Sequence, residues 1–183
     1  MTDTKDKIAS SLHHQFAEHG FATLGVEALR AGADVSLRTL YKHFPSREEM
    51  VVGALEHRDG LYREWISGGP GEGAAHVLHP FMRLADWLRD VANLGCLSRY
   101  ALASYPDSPL IRGTVEAQKR AVREMFHARL LHVAPECDAD LLADALFLMH
   151  EGLTESARLM GQEAAVAATL HSAKALLRNN GIN

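Results

Sequence analysis

Val26–Phe44, read in one-letter code as VEALRAGADVSLRTLYKHF, decides how the whole 183-residue chain is organised. Val26, Leu29 and Ala33 recur at helical spacing, so a short helix runs to about Ala33 with those side chains turned inward. Asp34-Val35 then makes a tight turn, because aspartate tolerates a left-handed backbone better than most residues. Ser36 is placed to cap a second helix, Leu37 to Phe44, and Pro45 ends it by biasing Phe44 away from helical geometry. Leu29, Val35, Leu40 and Phe44 are the expected interior of this pair. Ser36, Leu37, Arg38, Thr39, Tyr41, Lys42 and His43 lie on or before the outward face, and from Ser36 to Arg47 there are three cations and no acid.

Two short helices joined this way suit the major groove of B-DNA, where the first residues of the second helix reach base edges. Arg38 is the expected base reader, since a guanidinium can bond a guanine at two points. Thr39, Tyr41, Lys42 and His43 are expected on phosphates, which position the duplex without reading it. Arg47 falls in the first turn of the next helix, where backbone N–H groups also favour an anion.

Outward from this stretch the chain reads as helix throughout. Ile8, Leu12 and Phe16 give a first helix one apolar stripe, and Gly20 suits its C-terminal end. Ser46 and Glu49 form a capping box that launches a fourth helix with Met50, Val51, Ala54, Leu55, Leu61, Tyr62 and Trp65 on its buried side. Ser67–Gly73, rich in glycine, is a loop. Further helices are expected from about His79 to Val91, with Pro80 in its first turn, from Leu94 to Ala103, and from Pro109 to His132. Ala139 to Met160 and Glu163 to Asn179 make the last two. The expected fold is all-α: a helix-turn-helix domain over residues 1–50 and a larger helical domain over 51–183.

Composition narrows the function classes. Apolar residues make up 47% of the chain, enough for a sizeable core. The net charge of -4 argues against indiscriminate nucleic-acid binding and leaves room for a specific reader. No signal peptide and no membrane-length apolar run are evident, so a soluble cytoplasmic protein without a membrane partner is expected. Cys96 and Cys137 match no zinc or thioredoxin spacing. The 11 histidines suggest a metal site or an enzyme as a rival, yet none forms His-Glu-x-x-His, and there is neither a phosphate loop nor a nucleophile elbow. No catalytic residue, metal or cofactor is expected.

The run from Ile8 to about Leu55 resembles the DNA-binding domain of the tetracycline-repressor (TetR) family. The resemblance is carried by Phe16 and Gly20-Phe21, by Val26 and Leu29, by Val35-Ser36, Thr39, Tyr41 and His43-Phe44, and by Ser46-Arg47. Leu24-Gly25, Arg30 and Asp34 depart from the family's pattern, and Asp34 brings negative charge near the DNA face. The resemblance implies a one-component regulator, most simply a repressor, whose larger domain binds a small-molecule effector and pairs with a second copy. An adaptor of the same fold that has lost specific DNA binding is the alternative.

For the effector, Trp87, Tyr100, Tyr105, Phe126 and Phe147 are candidate walls, Arg99, His127 and His150 candidate polar groups, and Cys96 a candidate sensor thiol. The Ala139–Met160 helix is apolar over more than one stripe, so it must be covered on more than one side. Leu141, Ala145, Met149, Gly152 and Leu153, with Ala168, His171 and Ala175 of the last helix, are therefore expected at a homodimer interface, with burial inside the monomer as the other explanation. A two-fold dimer would address an inverted repeat in double-stranded DNA.

Overall fold

The computed structural model describes residues 3–91 and 96–183. They form α1 (Thr4–His19), α2 (Val26–Gly32), α3 (Leu37–His43), α4 (Arg47–Trp65), α5 (Gly73–Asp90), α6 (Leu97–Ser104), α7 (Pro109–Val133), α8 (Ala139–Met160) and α9 (Gln162–Asn179), with no strand among the described residues. The start expected for α6, Leu94, lies outside the described residues. The chain divides into two compact units, residues 1–62 with 96–118, and 63–95 with 119–183. The helix pair Val26–Phe44 thus shares its unit with α6 and the beginning of α7.

In the first unit the apolar stripe of α1 is buried, with Ile8, Leu12 and Phe16 meeting Leu29, Leu40, Phe44, Met50, Val51, Ala54 and Leu55. Each such side chain contributes roughly 1.5–3 kcal/mol when taken from water. Gly20, at φ 78, lets α1 stop in a backbone conformation that side chains resist, and Phe21 folds back with its ring centroid 4.8 Å from that of Phe16. Leu97 and Ala101 of α6 and Ile111 and Val115 of α7 complete the same core. Gly53 lets α4 approach α3 closely, for a Cβ there would land on the Phe44 ring. Leu61 departs from expectation: it is exposed although it continues the helical face of Met50 and Ala54.

In the second unit α5, α8 and α9 pack on one another. Phe81, Leu84, Phe126, Leu130, Leu142, Leu146 and Leu177 are buried there. Asp138 caps α8 by accepting a hydrogen bond from the Leu141 N–H at 3.2 Å, and Gly161 at φ 84 turns the chain into α9. The sequence places the start of α5 near His79, but the helix begins at Gly73 and carries Pro80 in its interior. Val77 and Leu78 extend its buried stripe backwards, and the His76 carbonyl that Pro80 cannot serve accepts from the Arg129 guanidinium at 2.8 Å instead.

Candidate nucleic-acid interface

The turn between α2 and α3 has the conformation its sequence demands. Asp34 sits at φ 51, the left-handed region, and among the described residues it alone does so without being glycine. Arg30 steadies the turn from α2, donating to the Val35 carbonyl at 3.2 Å while pairing with Glu27 at 2.9 Å. Gly25 precedes α2 without a side-chain cap; its carbonyl takes the Ala28 and Leu29 N–H groups. The departures at Gly25, Arg30 and Asp34 are therefore accommodated in the backbone of the helix pair.

Ser36 caps α3 as expected, its Oγ accepting from the Thr39 N–H at 3.0 Å. The Thr39 hydroxyl is engaged in turn with that same Oγ at 2.8 Å. With Leu40 and Phe44 in the core, α3 leaves Leu37, Arg38, Tyr41 and Lys42 exposed and His43 half-buried. Seven of the eight candidate DNA contacts thus lie on one short helix and its cap. Tyr41 is 41% exposed, an unusual position for an aromatic ring that the nearby core could have taken in.

Arg47 is the exception and corrects the expectation. Its guanidinium donates to the Phe21 carbonyl at 2.6 Å and to the Tyr105 hydroxyl at 3.2 Å, and lies 5.2 Å from the Phe16 ring centroid. It ties the end of α1 and the α6–α7 turn to the start of α4 rather than standing free for phosphate. Beside it Ser108 donates to Glu48 at 2.6 Å. Ser108 also caps α7, accepting from the Ile111 N–H at 3.3 Å, and nothing in the local sequence pairs it with a residue 60 positions away.

Residues 8–54 match the family model for bacterial regulatory proteins of the tetR family. Solved structures agree over nearly the whole length. A TetR-family transcriptional regulator from Streptomyces coelicolor superposes with TM-score 0.82 at 22% identity, covering 97% of this chain and 95% of that one. The reduced form of Escherichia coli NemR gives 0.81 at 19% identity, covering 94% and 96%. GusR of Salmonella enterica gives 0.72 at 18%, covering 96% and 95%. Comparison with curated protein sequences gives no match. Residues 8–54 thus match the DNA-binding domain of the tetR family, and the chain as a whole has the fold of these regulators.

The candidate effector residues are divided between the two units. Cys96, Arg99, Tyr100 and Tyr105 belong to the first unit, and Trp87, Phe126, His127, Phe147 and His150 to the second. Tyr105 is committed to Arg47 and packs edge-on against Phe21, so it serves the reader's own core. Arg99 is exposed, stacked over Tyr100 at 5.6 Å, and His127 is a surface group 3.7 Å from Asp140. Trp87 packs edge-on against Trp65. Phe126 and His150 do come together, in a buried cluster with Phe81 whose ring centroids lie 5.1–6.3 Å apart. Burial pushes the His150 imidazole down from its ordinary value, against the pull of Glu151, which Lys119 pairs with at 2.7 Å.

The candidate dimer residues are mostly exposed on α8 and α9. On α8, Leu141, Leu148 and Leu159 are 64%, 68% and 88% exposed, with Gly152 open and Ala145 and Met149 half-buried between them. On α9, Ala168, His171 and Ala175 are exposed. Leu153 is a correction: at 1% exposure it belongs to the core of its own chain, because it continues the buried line of Leu146 and His150 on α8. Leu148 and Leu159 are the most exposed large residues of the row.

Among the described residues no three His, Cys, Asp or Glu are placed to hold an ion, and no helix is long and apolar enough to cross a membrane.

Proposed function

We propose that the chain is a homodimeric, effector-responsive repressor that reads an inverted-repeat operator in the cytoplasm. The observation that carries this reading is α3: a serine-capped helix whose apolar side is buried while Arg38, Tyr41 and Lys42 are offered to solvent on one face. Arg38 stands in the first turn, from which a major-groove helix reads bases, and Tyr41 and Lys42 stand where phosphates pass. The apolar row on α8 with the alanine-lined face of α9 supports pairing with a second copy. An exposed row of leucines is costly to leave in water, and a two-fold partner buries it with itself. Dimerisation then sets two α3 helices about one DNA turn, roughly 34–36 Å, apart.

An effector that is small and mostly apolar would suit the surroundings of Phe126 and His150. By linkage, effector and operator weaken each other by one common factor, which titration calorimetry with and without DNA measures from both sides.

The test is selection of duplexes from a randomised pool by the full-length protein, beside the Arg38→Ala variant. The expected result is enrichment of an inverted repeat, with discrimination at one position per half-site relaxed by about 1–3 kcal/mol in the variant. If Arg38→Ala selects the same site as stringently, Arg38 does not read bases. If the wild-type protein enriches nothing at low salt, Asp34 and the altered entry to α2 have cost it the duplex, and an effector-gated adaptor becomes the better reading.

A further inference from the structure

Several cations in the unit that carries α3 are already engaged. Arg30 pairs with Glu27, Arg47 holds the Phe21 carbonyl, Arg58 donates to His13, and Arg112 donates to the Pro106 carbonyl at 2.9 Å. Lys5 is different. It is exposed in the first turn of α1, makes no ion pair with a described residue, and holds its ammonium 5.7 Å from the centroid of the Phe44 ring.

The place of Lys5 follows from the stripe that buries α1. Ile8, Ala9, Leu12 and Phe16 are buried, and Lys5 stands three and four residues before the first two, so it opens the same face of the helix. A lysine there lays its apolar stem along the rim of the core and keeps its charge in water. The ring beneath it is itself fixed. Phe44 is buried, ends α3 with its N–H on the Leu40 carbonyl at 2.9 Å, and fills the space that Gly53 of α4 leaves open. An ammonium within about 6 Å of a ring centroid is attracted to the ring's face. Lys5 is therefore held at the C-terminal end of α3, against the residue that directly follows Lys42 and His43. Its neighbours point elsewhere: the charge of Asp6 acts on His57 of α4, and Lys7 lies about 200° further round α1.

We propose that Lys5 is a DNA-binding residue that holds a backbone phosphate beside the C-terminal end of α3; this rests on the regulator reading above. α3 has seven residues, so it is about 10 Å long, against a major groove about 12 Å wide. With Arg38 at base edges in its first turn, its last turn stands at the wall of the groove, where the C-terminal end of a reading helix meets backbone. A phosphate passing there has Lys42 on one helix and Lys5 on another to bind it. The compact ammonium, with three donors, takes such a group from many directions, which suits a contact that positions the duplex without reading it.

The experiment uses the full-length protein as wild type, Lys5→Met, Lys5→Arg and Lys7→Met. Affinity is followed against salt concentration on the selected duplex and on one of unrelated sequence. Each phosphate contact contributes about 0.9 to the slope of log K on log salt. Lys5→Met should therefore lower the slope for a dimer by about 1.8 on both duplexes and weaken binding at about 0.1 M salt by about tenfold per half-site. The bases preferred in selection should not change. Lys5→Arg keeps the charge and should keep the slope. Lys7→Met removes a charge from another side of α1 and should leave the slope nearly as it was. An unchanged slope in Lys5→Met overturns the proposal even where affinity falls, since the lysine would then act only by steadying Phe44; circular dichroism and thermal unfolding record that role separately. Equal falls in Lys5→Met and Lys7→Met overturn it too, because the effect would be one of net charge and not of a contact. If wild type binds neither duplex, the regulator reading fails and this proposal with it. If it binds the unrelated duplex but selects no operator, the slope on that duplex decides for Lys5 alone.

Discussion

His13 should make the protein's stability fall with acid over a window that its surroundings define. It lies on the buried side of α1, 4% exposed, with Arg58 donating to its Nε2 from 3.3 Å. The rings of His14 and His57 stand 5.0 and 5.7 Å away. Burial, then the charges of Arg58, His14 and His57, push the imidazole down from 6.5 to about 3. Since Nε2 accepts from Arg58, the neutral ring carries its hydrogen on Nδ1, which has no hydrogen-bond partner. The unfolded chain takes up a proton near pH 6.5 and the folded one only near pH 3, so this stability is intact above 6.5 and is lost as pH falls from there towards 3. At about 1.4 kcal/mol per pH unit, the loss from pH 7 to pH 5 comes to about 2 kcal/mol, or roughly 4–8 °C in Tm for a chain of this size. Urea unfolding at the two pH values, for wild type and His13→Leu, measures it. The leucine variant should lose about 2 kcal/mol less between them, whatever its stability at pH 7. Equal losses in the two proteins would mean that His13 protonates without unfolding, and the reasoning from burial would fail.

Two further outcomes follow from surface geometry. Asp34→Gly relieves a left-handed aspartate and removes a negative charge beside α3, so it should raise stability by about 0.5–1 kcal/mol and tighten DNA binding, while Asp34→Asn should do only the second; thermal unfolding and duplex titration check both, and a less stable glycine variant refutes the account of the turn. Leu148→Glu places like charges across the α8 face at a site already open to water, so sedimentation should find a monomer with unchanged helicity, whereas a variant that stays dimeric puts the interface elsewhere.

What the sequence discloses and what it hides divide by the distance over which a contact acts. The turn at Asp34, the Ser36 cap and the period of α3 are each settled within four or five residues, and all appear in the fold as the local chemistry requires. The row on α8 is legible for the same reason, although periodicity alone could not tell Leu153, which faces its own core, from Leu148, which does not. Arg47 and Arg129 are different. A basic residue at a helix N-terminus near a DNA-reading motif is reasonably assigned to phosphate, until Tyr105 arrives from 58 positions away and takes the same guanidinium. Pro80 reads as the opening of a helix because nothing nearby replaces its missing donor; the replacement comes from Arg129, 53 residues beyond the carbonyl it serves. Both arginines leave the composition unchanged and make their bonds largely to backbone carbonyls, which no pattern of side chains advertises. Counting exposed charge therefore overstates the cations available to DNA. The exposed cations of α3 are Arg38 and Lys42, with Asp34 set against them. A recognition helix with only two exposed cations of its own must draw its discrimination from fit more than from charge.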